Sequence, residues 1–203
     1  MIPGACRASL YIYNERMSIN MARVVAGINM TIDGYCDHTA VTPDDEIHDH
    51  YTQLIRDADV IMWGRITYLL METYWPGVAL KPTGNKATDD FAAAAENIQK
   101  IAFSNTLKRI EWRNARLANE SLENEVLELK RRPGNDILIG SPSLILECTR
   151  LKLIDEYQLC IHPVIVGSGL PLFKGIDTRS VFRLIKTKTF RSGAVIHFYE
   201  PSA

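Results

Sequence analysis

The chain has 203 residues, 46% of them hydrophobic, with 23 basic and 24 acidic side chains. That suffices for one compact domain with a sizeable core. The near-neutral balance offers no basic footprint for nucleic acid, and no apolar run approaches the roughly 18 residues a membrane span needs.

Residues 1–20, "MIPGACRASLYIYNERMSIN", read as an N-terminal appendage. Their apolar part, Ala8 to Tyr13, is too short and too polar for a secretory core. The periodic pattern begins after Met21, which makes Met17 or Met21 a candidate start and 21–203 the domain proper. Cys6, Cys36, Cys148 and Cys160 show no C-x-x-C spacing, which suits reduced thiols in a cytosolic protein.

"RVVAGINMTIDGYCD" opens with Val24 to Ile28, an apolar run typical of a strand buried on both faces, and Asp33-Gly34 supplies a turn. "TPDDEIHDHYTQLIRDAD" predicts a helix with Thr42 as N-cap and Pro43 in its first position. Ile47, Tyr51, Leu54, Ile55 and Ala58 form its apolar stripe. "DVIMWGRITYLLM" reads as strand, tight junction and second helix, interrupted at Trp75-Pro76-Gly77. A loop, "VALKPTGNKATDD", leads to a short helix, "DFAAAAENIQ", and a strand from Lys100 to Ser104. The helix "ESLENEVLELKRRPGN", the strand "DILIGS" and the helix "PSLILECTRLKL" follow. A long strand, "DEYQLCIHPVIVG", a turn, "GSGLPLF", and two strands meeting at Ser192-Gly193 complete the chain. Alternation of strands and helices argues a largely parallel sheet covered on both faces, and the final pair must be antiparallel, so the sheet is mixed.

In such sheets ligands bind beyond the carboxyl ends of the strands. Three strand ends carry groups suited to a phosphate-bearing cofactor. Gly64-Arg65-Ile66-Thr67 combines a close-approach glycine, a guanidinium fork and a hydroxyl at a helix start. Ser104-Asn105-Thr106 is a hydroxyl and amide cluster, and Gly140-Ser141-Pro142-Ser143 again joins a strand end to a helix start. Each alone also reads as ordinary turn or cap chemistry; three at successive strand ends converge on one edge.

In this order the segments "VAGINMTIDGY", "MWGRITY", "IAFSNTL", "ILIGSPSL" and "LIDEYQLCIHPVIVGSGLPLF" resemble the dihydrofolate reductase-like superfamily. They are most similar to the branch containing the C-terminal reductase domain of the riboflavin biosynthesis deaminase-reductase. The resemblance spans about residues 22–199. It implies a three-layer α/β/α sandwich that binds NADPH across the sheet edge. Arg65 and Thr67 would contact phosphates, Ser104 and Asn105 would lie near the adenosine 2′-phosphate, and Gly140 to Ser143 would lie under the pyrophosphate. The family often has two glycines where this chain has Gly140-Ser141, and a side chain at Ser141 narrows the cofactor's approach.

Hydride transfer to C=N or C=O also needs a proton for the heteroatom. By resemblance the donor lies on the helix before the Gly-Arg strand. There Asp44 shares a face with Ile47 and Tyr51, His48 lies at its edge one turn away, and the two side chains are spaced to share a hydrogen bond. His48, Asp44 and the Asp33 turn are the candidate catalytic residues. A first-turn acid serving the helix dipole and a simple turn at Asp33 are the bland readings. His48 and His50 face different ways, so no metal is expected. The expectation is an NADPH-dependent reductase of a ribosylamino-pyrimidine-like or pterin-like small molecule, homodimeric by resemblance. A dihydrofolate reductase and a non-catalytic nucleotide-binding protein are the alternatives. The zinc signature of a deaminase, H-x-E with P-C-x-x-C, is absent from the sequence.

Overall fold

A computed structural model describes residues 21–202; the expected appendage, 1–20, lies outside them. The first strand, β1 (Val24–Thr31), extends three residues past its apolar run because β6 (Glu156–His162) pairs with it as far as Thr31. Helix α1 (Asp45–Arg56) follows, then β2 (Ala58–Gly64) and α2 (Arg65–Leu80). Next come α3 (Lys86–Asn97), β3 (Gln99–Phe103), β4 (Ala115–Leu117) and α4 (Leu122–Lys130). β5 (Asp136–Ile139), α5 (Pro142–Arg150), β6, β7 (Phe182–Thr189) and β8 (Val195–Pro201) close the order.

The eight strands form one sheet in the order β4-β3-β2-β5-β1-β6-β8-β7. The first six in that row pair in parallel, and β8 runs antiparallel to both neighbours. Alternation along the strands decides the layers. Val24, Ala26, Ile28 and Met30 of β1 point to one face, where Ile145 and Cys148 of α5 and Val126 of α4 cover them. Val25 of β1, Ile61 and Trp63 of β2 and Leu138 of β5 point to the other, against Ile55 of α1, Tyr68 of α2 and Phe91 of α3. The result is the expected three-layer sandwich. Cys36, Cys148 and Cys160 are free thiols buried in it, the last two pushed up to about 12 by burial.

Four local expectations need correction, the first being that the strand expected to run to Gly167 stops at His162, ahead of Pro163. α1 is capped by Asp44, whose carboxylate accepts the Ile47 N–H at 2.9 Å, so Thr42 and Pro43 precede the helix. α2 runs straight through Trp75-Pro76-Gly77. Pro76 removes one bond to the Glu72 carbonyl, but buried Val78 holds the last turn and the Lys81 N–H closes it on the Gly77 carbonyl at 3.0 Å. The expected loop is shorter as a result: Asn85 caps α3, and Asp89 grips the Thr83 and Gly84 N–H groups in the turn before it. Short β4 carries little pattern of its own; its Arg116 is held by Glu125 of α4, which is 4% exposed, through two bonds of 2.8 and 2.6 Å.

At the opposite end β7 is an edge strand, exposed in all but its first residue. Its ladder slips by one between Leu184 and Lys186, and Lys186 and Lys188 lie 4.4 and 5.0 Å over the Phe198 and Phe190 rings.

Candidate active site

The chain winds outward through β2, β3 and β4, returns to insert β5 between β2 and β1, then continues to β6 on the far side. That reversal leaves a crevice beyond the carboxyl ends of β1, β5 and β2, the usual ligand position in an open sheet. A cavity of about 280 Å³ opens there. A second groove, about 470 Å³, lies beyond β3.

The second groove gathers Arg65, Ser104, Asn105 and Thr106, so two of the three expected strand ends meet in one place. Ser104 also holds its own turn, its Oγ accepting the Thr106 and Leu107 N–H groups at 3.1 and 2.9 Å. The first cavity takes Thr67, Gly140 and Pro142, together with His48. Arg65 and Thr67 are two residues apart in the first turn of α2, so that turn serves both spaces.

Gly64, Ser141 and Ser143 line neither space; they fasten the two strand ends together. Ser141 is 1% exposed, and its Oγ accepts the Gly64 N–H at 3.0 Å. A methyl group on Gly64 would fall 2.6 Å from Ser143 Oγ. Glycine is needed here for the contact between α5 and β2, since φ is an ordinary −71°. The Ser141 side chain, expected to narrow the cofactor's approach, is turned inward instead.

The helix starts differ in a way that bears on ligand chemistry. α1, α3 and α4 are each capped by a side chain (Asp44, Asn85, Ser121) and carry an acid in the first turn. α2 and α5 have neither a side-chain cap bond nor a first-turn acid. These two begin beyond adjacent strands, and among the described residues no side chain caps their first-turn N–H groups, which leaves them as donors for an anion. With Arg65 and the Ser104–Thr106 hydroxyls, the donor set fits a nucleotide with several phosphates.

The candidate proton donors separate. His48 lines the cavity with Trp75 and Phe91 beside its ring, centroids 6.0 and 5.8 Å away. Burial pulls its pKa below the ordinary histidine value, against the opposing pull of Asp45, Asp44 and Asp49. Asp44 does not line the cavity. Burial works against its charge, but the Ile47 N–H and Ser192 hydroxyl outweigh it and keep the carboxyl low, as suits an ionised cap. No side-chain bond joins it to His48 among the described residues. Asp33 is also committed: it accepts from Thr31 Oγ1 at 2.6 Å and from the Gly167 N–H at 2.7 Å, and the Thr31 bond leads in lowering its pKa. The Gly167 bond pins the turn after β1 to the loop after β6. His50 turns away to Gln158, 2.9 Å distant.

Several cavity groups escaped sequence reasoning. The walls are Trp63, Trp75, Phe91 and Met71, read from sequence only as core or junction residues. Asn29 is the other omission. An amide inside the strand run "GINMT" was a visible anomaly, because a fully buried strand has no use for it. It is partly exposed, lines the cavity, and its Oδ1 lies 2.9 Å from Nε2 of buried His162.

Comparison with known proteins agrees with this architecture. The RibD C-terminal domain family matches residues 22–198. The Bacillus subtilis (strain 168) protein YyaP, itself uncharacterized, is 31% identical over 182 residues, covering 88% of this chain and 94% of YyaP. Among solved structures, a Shewanella sp. PV-4 protein named for riboflavin biosynthesis superposes with a TM-score of 0.68 at 18% identity, covering 89% of this chain and 99% of that one. A Thermotoga maritima diaminohydroxyphosphoribosylaminopyrimidine deaminase/5-amino-6-(5-phosphoribosylamino)uracil reductase gives 0.62 at 17% identity, over 90% of this chain and 57% of the longer protein. At those identities the structural matches speak for the fold.

Proposed function

We propose that this chain, which belongs to the RibD C-terminal domain family, is an NADPH-dependent reductase of a small heterocyclic substrate. One observation carries the reading: Arg65 and Ser104–Thr106 share a groove, and the same helical turn presents Thr67 to the adjoining aromatic cavity. A ligand with a phosphate at one end and a reactive ring at the other suits that arrangement.

Bound NADPH supplies a hydride, two electrons with one proton, to an electrophilic C=N or C=O carbon. The chain does the rest. Arg65, Ser104, Asn105 and Thr106 would hold the 2′-phosphate end, and the open starts of α2 and α5 would offer N–H donors to the bridging phosphates. Gly140 and Pro142 form the floor beside Thr67. Trp63, Trp75 and Phe91 exclude water from the reacting ring. His48 passes one proton to the substrate heteroatom and is reprotonated from solvent, which balances the reduction to amine or alcohol. A homodimer in the cytosol completes the reading, on resemblance to relatives.

The test is NADPH consumption with dihydrofolate and with the ribosylamino-pyrimidine named for the Thermotoga protein. The folate reductase alternative asks for a free carboxylate in the cavity, and Asp44 is spent on the helix cap. Saturable NADPH binding without oxidation by any reducible heterocycle would select a nucleotide-binding protein instead.

A further inference from the structure

We infer that the cavity admits a planar, uncharged ring bearing a hydrogen-bond acceptor, and that Asn29, oriented by His162, grips that acceptor. The inference rests on the reductase reading and names its substrate class.

The walls set the shape and polarity. Trp63, Trp75, Phe91, Leu70 and Met71 offer flat or apolar surfaces, and rings stack favourably in such a slot. Among the described residues, neither lysine nor arginine lines it. The carboxylate that does, Asp37, accepts the Leu170 N–H at 2.6 Å. A phosphoryl group there would set its charge beside Asp37 and aromatic rings, with only the imidazoles of His38 and His48, the latter disfavoured as a cation by burial, to offset it. Uncharged rings escape that penalty.

Asn29 supplies the specific contact. It stands beside Cys160 in the ladder, so both side chains leave the sheet on the cavity side. His162, two residues further along β6 and 5% exposed, places Nε2 at 2.9 Å from Asn29 Oδ1 and 3.7 Å from Cys160 Sγ. Burial disfavours the charged imidazole against the pull of Asp44; with Oδ1 the amide atom facing Nε2, the neutral tautomer that satisfies the pair carries its proton on Nε2 and donates to Oδ1. That fixes the amide with Nδ2 turned away from His162 and unbonded among the described residues. That leaves the amide N–H groups available to a ligand in the cavity that Asn29 lines. Tyr51 lines the same cavity, and its buried hydroxyl has no hydrogen-bond partner among the described residues. Donors without acceptors call for a ligand that brings a carbonyl or ring nitrogen. His162 is a positioning residue; Asn29 touches the substrate.

Binding is read by quenching of tryptophan fluorescence with NADP+ present, since Trp63 and Trp75 line the slot. The probes are isatin, dihydrobiopterin, and 5-amino-6-ribosylaminouracil with and without its phosphate. The uncharged rings bind, and the phosphate-free pyrimidine binds at least about tenfold tighter than its phosphate ester. Asn29→Leu weakens the rings about tenfold, the worth of one net hydrogen bond, and leaves NADPH affinity unchanged, while the loss of His162's partner lowers the melting temperature. Asn29→Asp, which keeps the shape, guards against misfolding and weakens them at least as much. His162→Phe lowers ring affinity, and His162→Gln, which retains a donor for Oδ1, restores it. Tighter binding of the phosphate ester, no binding by any uncharged ring, or full ring affinity in both Asn29 variants overturns the inference. Rings that bind but are never reduced by NADPH leave it standing and remove the reductase reading.

Discussion

Replacing Arg65 with alanine tests the cofactor assignment directly. Its guanidinium is exposed on the rim of the groove it shares with Ser104, Asn105 and Thr106. A hydrogen bond to a charged group contributes about 1.5–3 kcal/mol, and solvent exposure places this one at the low end. About 1.5 kcal/mol corresponds to a roughly tenfold loss of NADPH affinity. Glu120 lines the same groove, so removing the cation leaves a carboxylate facing the phosphate and pushes the loss upward. NADH lacks the 2′-phosphate and should lose less than about twofold. Charge attraction at an exposed site is screened over about 10 Å at 0.1 M salt, so wild-type discrimination should narrow as salt rises while the variant's barely moves. Calorimetric titration of both nucleotides at two ionic strengths provides the measurement. Equal losses for NADPH and NADH, or none for either, would refute the placement of the phosphate beside residue 65.

If His48 passes the proton, kcat falls as pH rises through a value below 6.5, because burial has lowered its pKa; a pH–rate profile of His48→Phe should be flat and slow. Gly64→Ala should cost about 1 kcal/mol by displacing Ser143 Oγ, and Ser143→Ala should recover most of it in a urea-denaturation double-mutant cycle; additive costs would disprove the contact. Glu125→Gln should destabilise by about 2 kcal/mol near neutral pH, less than a fully buried pair because the Arg116 side chain is 42% exposed. The Arg116 bond lowers the folded-state pKa of Glu125, so its contribution is present above the ordinary 4.5 and lost as pH falls through the folded value. Denaturation curves of wild type and variant should converge in acid.

How much of this was legible in the sequence depended on the range of the interactions. Strands with near-continuous apolar runs, such as Val60–Trp63, announce burial on both faces, and the layers followed from them. The α2 boundary was misjudged because Pro76 carries a strong local signal that a long-range contact at Val78 overrides. Thr42 looked like a cap by residue type, yet Asp44 is the residue whose side chain reaches the Ile47 N–H. At the site, the groups set by strand ends were readable: Arg65 and Ser104 were expected to meet and line one groove. Trp75 and Phe91 were not, because they come from helices whose packing on α1 has no local code. Nor was the inward turn of Ser141, whose partner, Gly64, is 77 residues away.

The exposed margin formed by β7 has a bearing on how the protein behaves at high concentration. Such a strand presents unpaired amides and carbonyls that invite a second copy to extend the ribbon indefinitely. The slipped register at Leu184 and the two ammonium groups draped over phenyl rings make that margin a poor template. Neutralising both lysines, by acetylation for instance, should convert a well-behaved solution into one that scatters light and binds fibril dyes.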